Sequence, residues 1–119
     1  MGTQITEAVR SMETHASQIS QVALRLAATY PYLPHLISVR PRPSADTAEL
    51  DLQLSTFDDA RVWATALGGE LVIRESDHTN GFHGDANIHI DGVLVHVCAF
   101  RRFTAEERAE REAAEQVAA

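Results

Sequence analysis

Histidine and cysteine side chains near the end of the sequence are the group best suited to chemistry. His89, His96 and Cys98 lie in two short alternating runs, and His78 and His83 come just before them. Imidazole nitrogens bind zinc, copper, iron and nickel. His89 and His96, with His78 or His83, are therefore candidate metal ligands. Because positions 78, 83, 89 and 96 match no established ligand spacing, we expect no cofactor, and a zinc or other transition-metal site is the alternative.

A cysteine nucleophile is a second chemical possibility. His96 and Cys98 are two residues apart, as for neighbours on one face of a strand. Nucleophilic catalysis also needs a base within hydrogen-bond reach, an orienting group and an oxyanion site, which this spacing does not supply. The sequence has no G-x-S-x-G, phosphate-binding or dinucleotide-binding motif, and no catalytic residue is assigned.

The elements that position these residues are two strands joined by Asp91 and Gly92, a strong two-residue turn signal. With this turn, His89 faces Leu94 and Asn87 faces His96, so His89 and His96 are diagonal neighbours. The two faces follow from the alternation. The core face holds Ile88, Ile90, Val93, Val95, Val97 and Ala99, and the other holds Asn87, His89, Leu94, His96, Cys98 and Phe100.

The rest of the chain is predicted to form helices and strands joined by short connections. Apolar residues spaced by three and four predict a long helix from Ile5 to about residue 29, and Thr56 begins a second that Gly68 and Gly69 end. Strands are predicted at about 36–40, 48–54, 70–75, 86–90 and 93–100, with an Arg-Pro-Arg-Pro-Ser loop after the first and a polar loop over 76–85.

This order predicts an α+β fold, α-β-β-α-β-β-β-α. We expect an antiparallel sheet of about five strands with two amphipathic helices on one face. Residues 1–103 form the predicted domain, and 104–119 form a polar helix or a frayed tail opened by a capping box, Thr104 and Glu107. If strand 48–54 joins the sheet, Glu49, Asp51 and Gln53 share the polar face, with cations from Arg40 and Arg74.

Composition narrows the function classes. The 119 residues carry a formal net charge of −7, and all ten basic residues are Arg. An acidic chain lacks the basic face that phosphate contacts need, so direct nucleic-acid binding is not expected. The single cysteine excludes an internal disulfide and indicates a reducing, cytoplasmic compartment. No apolar run approaches the roughly 20 residues that span a bilayer, so no membrane association is expected.

Three segments resemble a group of known proteins. The segments are Leu50-Asp-Leu-Gln-Leu54, Ala60-Arg-Val-Trp-Ala-Thr-Ala-Leu-Gly-Gly69 and Asn87-Ile-His-Ile-Asp-Gly-Val-Leu-Val-His-Val97. They resemble short uncharacterised proteins of actinobacteria and of their phages or integrated elements, over residues 36–100. The resemblance implies a small accessory protein in the cytoplasm of a bacterium and carries over no functional residue.

The leading hypothesis is a non-enzymatic binding or regulatory module that acts through protein–protein contact. A sheet with one uncovered face can be covered by a second copy, so a homodimer is expected, with Leu94, His96, Cys98 and Phe100 at the interface. One alternative is a small metal-dependent or cysteine enzyme that uses His89, His96 and Cys98. Another is an acidic nucleic-acid mimic that inhibits a nucleic-acid-binding protein.

Overall fold

The computed structural model describes residues 3–76, 78 and 80–118. The elements follow the predicted order and confirm the α+β class. They are α1 (Thr3–Thr29), β1 (Ser38–Pro43), β2 (Ala48–Gln53), α2 (Phe57–Ala66), β3 (Val72–Ser76), β4 (Gly81–Ile90), β5 (Val93–Arg102) and α3 (Ala105–Ala118).

The five strands form one sheet in the order β1-β2-β5-β4-β3, which puts β5 at its centre. The β4–β5 hairpin has the predicted register, with Ile90 opposite Val93 and Asn87 opposite His96. Asp91 and Gly92 both have positive φ, 47° and 82°, as a two-residue hairpin turn of this kind requires. The alternation of the sequence is therefore enough to fix this pairing.

One pairing differs from the prediction of an antiparallel sheet. β2 and β5 are parallel, with Asp51 opposite His96, while the other three pairs are antiparallel. A parallel neighbour needs a long connection, and the chain between β2 and β5 provides one, because it contains α2, β3 and β4.

Strands β1 and β4 extend furthest beyond their predicted bounds. β1 runs to Pro43 and so includes Pro41, where the sequence predicts a loop. Proline is tolerated there because β1 is an edge strand, and its outer side needs no N–H donor. β4 begins at Gly81, inside the predicted loop over 76–85, because residues 81–85 pair with both β3 and the end of β5. Asp77 and Thr79 of that loop lie outside the described residues.

The core lies between one sheet face and the helices α1 and α2. Its largest fully buried side chains come from α1, β2 with the residue after it, and β5: Ile19, Val22, Leu50, Leu54, Val93, Val95 and Val97. The Thr56 hydroxyl caps α2 by accepting from the Asp59 N–H at 3.1 Å. Trp63 of α2 donates its indole N–H to the Pro34 carbonyl at 2.7 Å, which ties α2 to the segment that leads into β1.

The C-terminal segment forms a helix held to the end of the sheet. The predicted capping box is confirmed: Thr104 and Glu107 exchange hydrogen bonds at 2.9 and 3.2 Å. Arg101 donates to both Glu107 carboxylate oxygens, and this hydrogen bonding lowers the Glu107 pKa to about 2. Arg111 forms an ion pair with Glu75 and stacks 3.9 Å from the Phe103 ring.

Among the described residues, no helix is both long enough and apolar enough to cross a membrane.

Candidate functional site

The side of the sheet opposite α1 and α2, called the open face below, carries the candidate site. By strand alternation, the central strand β5 contributes the four residues that the sequence assigns to an interface. Each is partly exposed: Leu94, His96, Cys98 and Phe100. They form a row along the middle of the face, with β2 on one side and β4 on the other.

His96 lies between two carboxylates. Its Nε2 is 2.5 Å from Oδ1 of Asp85, and its Nδ1 is 3.5 Å from Oδ1 of Asp51. An ionised carboxylate only accepts, so the imidazole donates in the short contact with Asp85. The three residues form an Asp51–His96–Asp85 cluster that fixes the imidazole ring at the centre of the open face.

Two strand pairings bring this cluster together. The parallel register of β2 on β5 sets Asp51 directly beside His96. The antiparallel register of β4 on β5 sets Asp85 opposite Cys98, one diagonal step from His96. The sequence anticipates Asp51 on this face but places Asp85 in a loop, so Asp85 is the member that sequence reasoning missed. The alternation of β4 continues back through Asp85, and this continuation could have predicted that Asp85 lies on the open face.

Arginine side chains on the edge strands lie next to the acidic residues of the open face. Arg42 of the edge strand β1 is 3.4 Å from the Asp51 carboxylate and 3.9 Å from that of Glu49. Within the five strands, all of whose residues are described, the alternation places four Arg and three carboxylates on the open face. They are Arg40, Arg42, Arg74 and Arg102, and Glu49, Asp51 and Asp85. The open face is thus nearly neutral although the whole chain carries −7.

The structure places two of the four candidate metal ligands side by side and the other two away from them. His89 and His96 are diagonal neighbours as predicted, but both ring nitrogens of His96 face carboxylates. His83 is opposite Phe100, four residues along β5 from His96 and so about 13 Å away, and His78 lies in the turn before β4. Across residues 3–76, 78 and 80–118, no group of three or more His, Cys, Asp or Glu side chains is arranged to hold a metal ion.

An aromatic contact occupies the end of the central row. The rings of Phe100 and His83 are 4.8 Å apart between centroids, tilted by 42°. The Phe100 ring also covers Gly81, where a Cβ atom would collide with the ring and with the Arg101 carbonyl. Glycine at position 81 therefore gives Phe100 its place on the sheet.

The environment of Cys98 disfavours its thiolate. Burial raises the pKa of the Cys98 thiol above its ordinary value, and the negative charges of Asp85 and Asp51 raise it further, while Arg40 opposes them. The thiolate is the nucleophilic form of cysteine, and reactive cysteines lie in electropositive surroundings. The electrostatics of this site favour an unreactive thiol at neutral pH.

This environment predicts slow alkylation of Cys98. At pH 7.5 we expect iodoacetamide to modify the folded protein more slowly than the urea-unfolded chain, whose only thiol is the same one. Replacing Asp85 by Asn removes a negative charge and should move the pH–rate profile to lower pH, whereas Arg40→Gln should move it to higher pH. Identical profiles for all three proteins would contradict this electrostatic account.

Comparison with known proteins gave no match: no family model, no curated protein and no solved structure is similar enough to assign this chain to a family.

Proposed function

We propose that this protein is a non-enzymatic binding or regulatory module and that the open face of its sheet binds a protein partner. One observation carries the proposal: the central strand offers a partly buried row that contains Leu94 and Phe100, and charged residues flank it on both sides. A less charged, aromatic-containing centre inside a polar rim is the composition of a specific protein interface.

The Asp51–His96–Asp85 cluster supports the same function. Its side chains, together with Arg42, are held by contacts within the chain before any partner arrives. A surface whose polar groups are already ordered loses less conformational freedom on binding. The cluster therefore suits recognition of one partner in a defined orientation.

The order of charges indicates the chemistry of the partner. From one edge of the sheet to the other, the strands carry arginine on β1, carboxylates on β2, the central row followed by Arg102 on β5, a carboxylate on β4 and arginine on β3. A complementary surface presents an apolar centre, basic groups on either side of it and acidic groups farther out.

A second copy of this chain is the alternative partner for the open face. In a twofold dimer that stacks two open faces with β5 over β5, β1 lies opposite either β1 or β3 of the second copy. Arginine then faces arginine in both cases. The carboxylates of β2 and β4 likewise face carboxylates. This charge order favours a different protein on the open face. The homodimer expected there from the sequence stays a prediction, and a dimer mass in sedimentation equilibrium that Leu94→Arg abolishes would detect it.

The other function classes draw less support from the site. A cysteine enzyme needs a stabilised thiolate, whereas burial and two carboxylates raise the Cys98 pKa. A nucleic-acid mimic needs uncompensated acidic rows, whereas Arg42 contacts both Glu49 and Asp51. A small cytoplasmic accessory protein of an actinobacterium, phage or mobile element is the setting that we propose for the binding function.

The proposal is tested by affinity capture with the full chain from extracts of the source cells. A partner held by the wild type should bind a Leu94→Arg variant at least about tenfold more weakly, because the substitution puts a positive charge into the central row of the interface. Val62→Arg is the matched control, since Val62 is an exposed apolar residue of α2 on the opposite side of the sheet.

Alkylation of Cys98 locates the contact. A partner on the open face should slow maleimide labelling of Cys98 in the purified complex, whereas it should leave the rate unchanged if it binds the helices. Retention of the partner by Leu94→Arg, with Cys98 still labelled at the rate of the free protein, would refute the open face as the binding surface.

A further inference from the structure

The apolar stripe of α1 is only half covered. Along one face of the helix, Ile19, Val22 and Leu26 are 2 %, 1 % and 7 % exposed. The same stripe continues towards the N-terminus with three large side chains that the sheet does not reach: Ile5, Val9 and Met12 are 72 %, 45 % and 42 % exposed. Adjacent exposed apolar residues on one helix face indicate an interaction surface.

His15 is where α1 begins to project beyond the rest of the protein. Its Nδ1 lies 2.6 Å from the carbonyl oxygen of Ser44, in the connection between β1 and β2. Residues 3–14 extend past this contact over about 18 Å of helix. The projecting part is therefore long enough to pack against another helix over about three turns.

The spacing of the stripe identifies the kind of surface that fits it. Apolar positions alternate steps of four and three over almost the whole helix: Ile5, Val9, Met12, Ala16, Ile19, Ala23 and Leu26. This is the a/d pattern of a coiled coil, in which side chains of one helix fit between those of another. The stripe therefore fits another helix that carries the same repeat.

We infer that residues 5–16 of α1, which include most of the projecting part, pack antiparallel against the same segment of a second copy, so that the protein is a homodimer through α1. In an antiparallel pair, a positions face d positions, which sets Val9 against Met12 of the second chain and Ile5 against Ala16. At each end of this helix–helix contact, called the seam below, the large Ile5 side chain packs against the small Ala16. In its middle, Val9 packs against Met12.

The flanking positions agree with this register. Glu13 lies opposite Thr6 of the second chain, and His15 lies opposite Ala8, so the seam opposes no like charges. Glu7 and Arg10 lie on the outer side of the helix pair. This inference goes beyond the proposed function, because α1 and the open face are on opposite sides of the sheet and a dimer through α1 leaves the open face free.

Sedimentation equilibrium tests the dimer over about 1 to 500 µM protein, because so short a seam should associate with a Kd in the micromolar range. We expect the wild type to approach twice the chain mass and Val9→Glu to remain a monomer with unchanged helix content. The matched control is Leu24→Glu, since Leu24 is exposed on the other side of the same helix. It should dimerise like the wild type.

Disulfide trapping tests the orientation in a Cys98→Ser background. Mixed chains carrying Ile5→Cys or Ala16→Cys should form a disulfide between the two kinds of chain, whereas Ile5→Cys alone should not link to itself. A single-chain mass for the wild type at every concentration would overturn the inference. So would self-linking of Ile5→Cys, or a dimer that survives Val9→Glu and dissociates in Leu94→Arg.

Discussion

Trp63→Ala is expected to lower the free energy of unfolding by about 3–5 kcal/mol, measured by urea denaturation. The indole is buried in the core and packs edge-on against Tyr30, with the ring centroids 6.5 Å apart. It also joins α2 to the segment before β1 through its bond to Pro34. Truncation leaves a cavity and removes that connection, which helps to place β1 and its arginines.

Two further variants make the Trp63 result specific. Trp63→Phe keeps much of the apolar contact but leaves the Pro34 carbonyl without the indole donor, and the lost hydrogen bond should account for about 0.5–1.5 kcal/mol of its destabilisation. Val62→Ala, one residue away and exposed, should change stability by less than about 0.5 kcal/mol. Equal effects of Trp63→Ala and Val62→Ala would show that the indole does not hold the core as described.

His96→Ala is expected to destabilise the protein by about 1–2 kcal/mol, although His96 lies on the open face and outside the core. The substitution removes the group that separates and bridges Asp51 and Asp85. Two negative charges then remain close together without the donor between them. Arg42 still contacts Asp51, so the loss falls mainly on Asp85.

His89→Ala is the matched control for His96→Ala, because both residues lie on the same hairpin face and the sequence predicts both as candidate metal ligands. His89 is exposed, so its removal should change stability by less than about 0.5 kcal/mol. A double-mutant cycle of His96→Ala with Asp85→Asn should show coupling, since the two side chains are 2.5 Å apart. Additive effects, or equal losses from His89→Ala and His96→Ala, would contradict the bridging role.

Local patterns in the sequence determined the element types and the hairpin. Alternation around Asp91 and Gly92 fixes which residue faces which, because a shift by one residue would turn the buried valines outward. Thr56 and Thr104 each cap a helix by bonding to a backbone N–H three residues on, which is a local interaction that the sequence displays directly. The row Leu94, His96, Cys98 and Phe100 follows from the same alternation.

Only the tertiary structure decided what surrounds that row. Which strand neighbours β5 depends on how the whole core packs, and no local signal in β2 states that Asp51 will lie beside His96. Asp85 reaches the cluster because residues 81–85, polar and rich in glycine, gain a strand conformation from pairing with β3 and β5. The apolar stripe of α1 is continuous in sequence, yet its first half is exposed because the sheet covers only the second half.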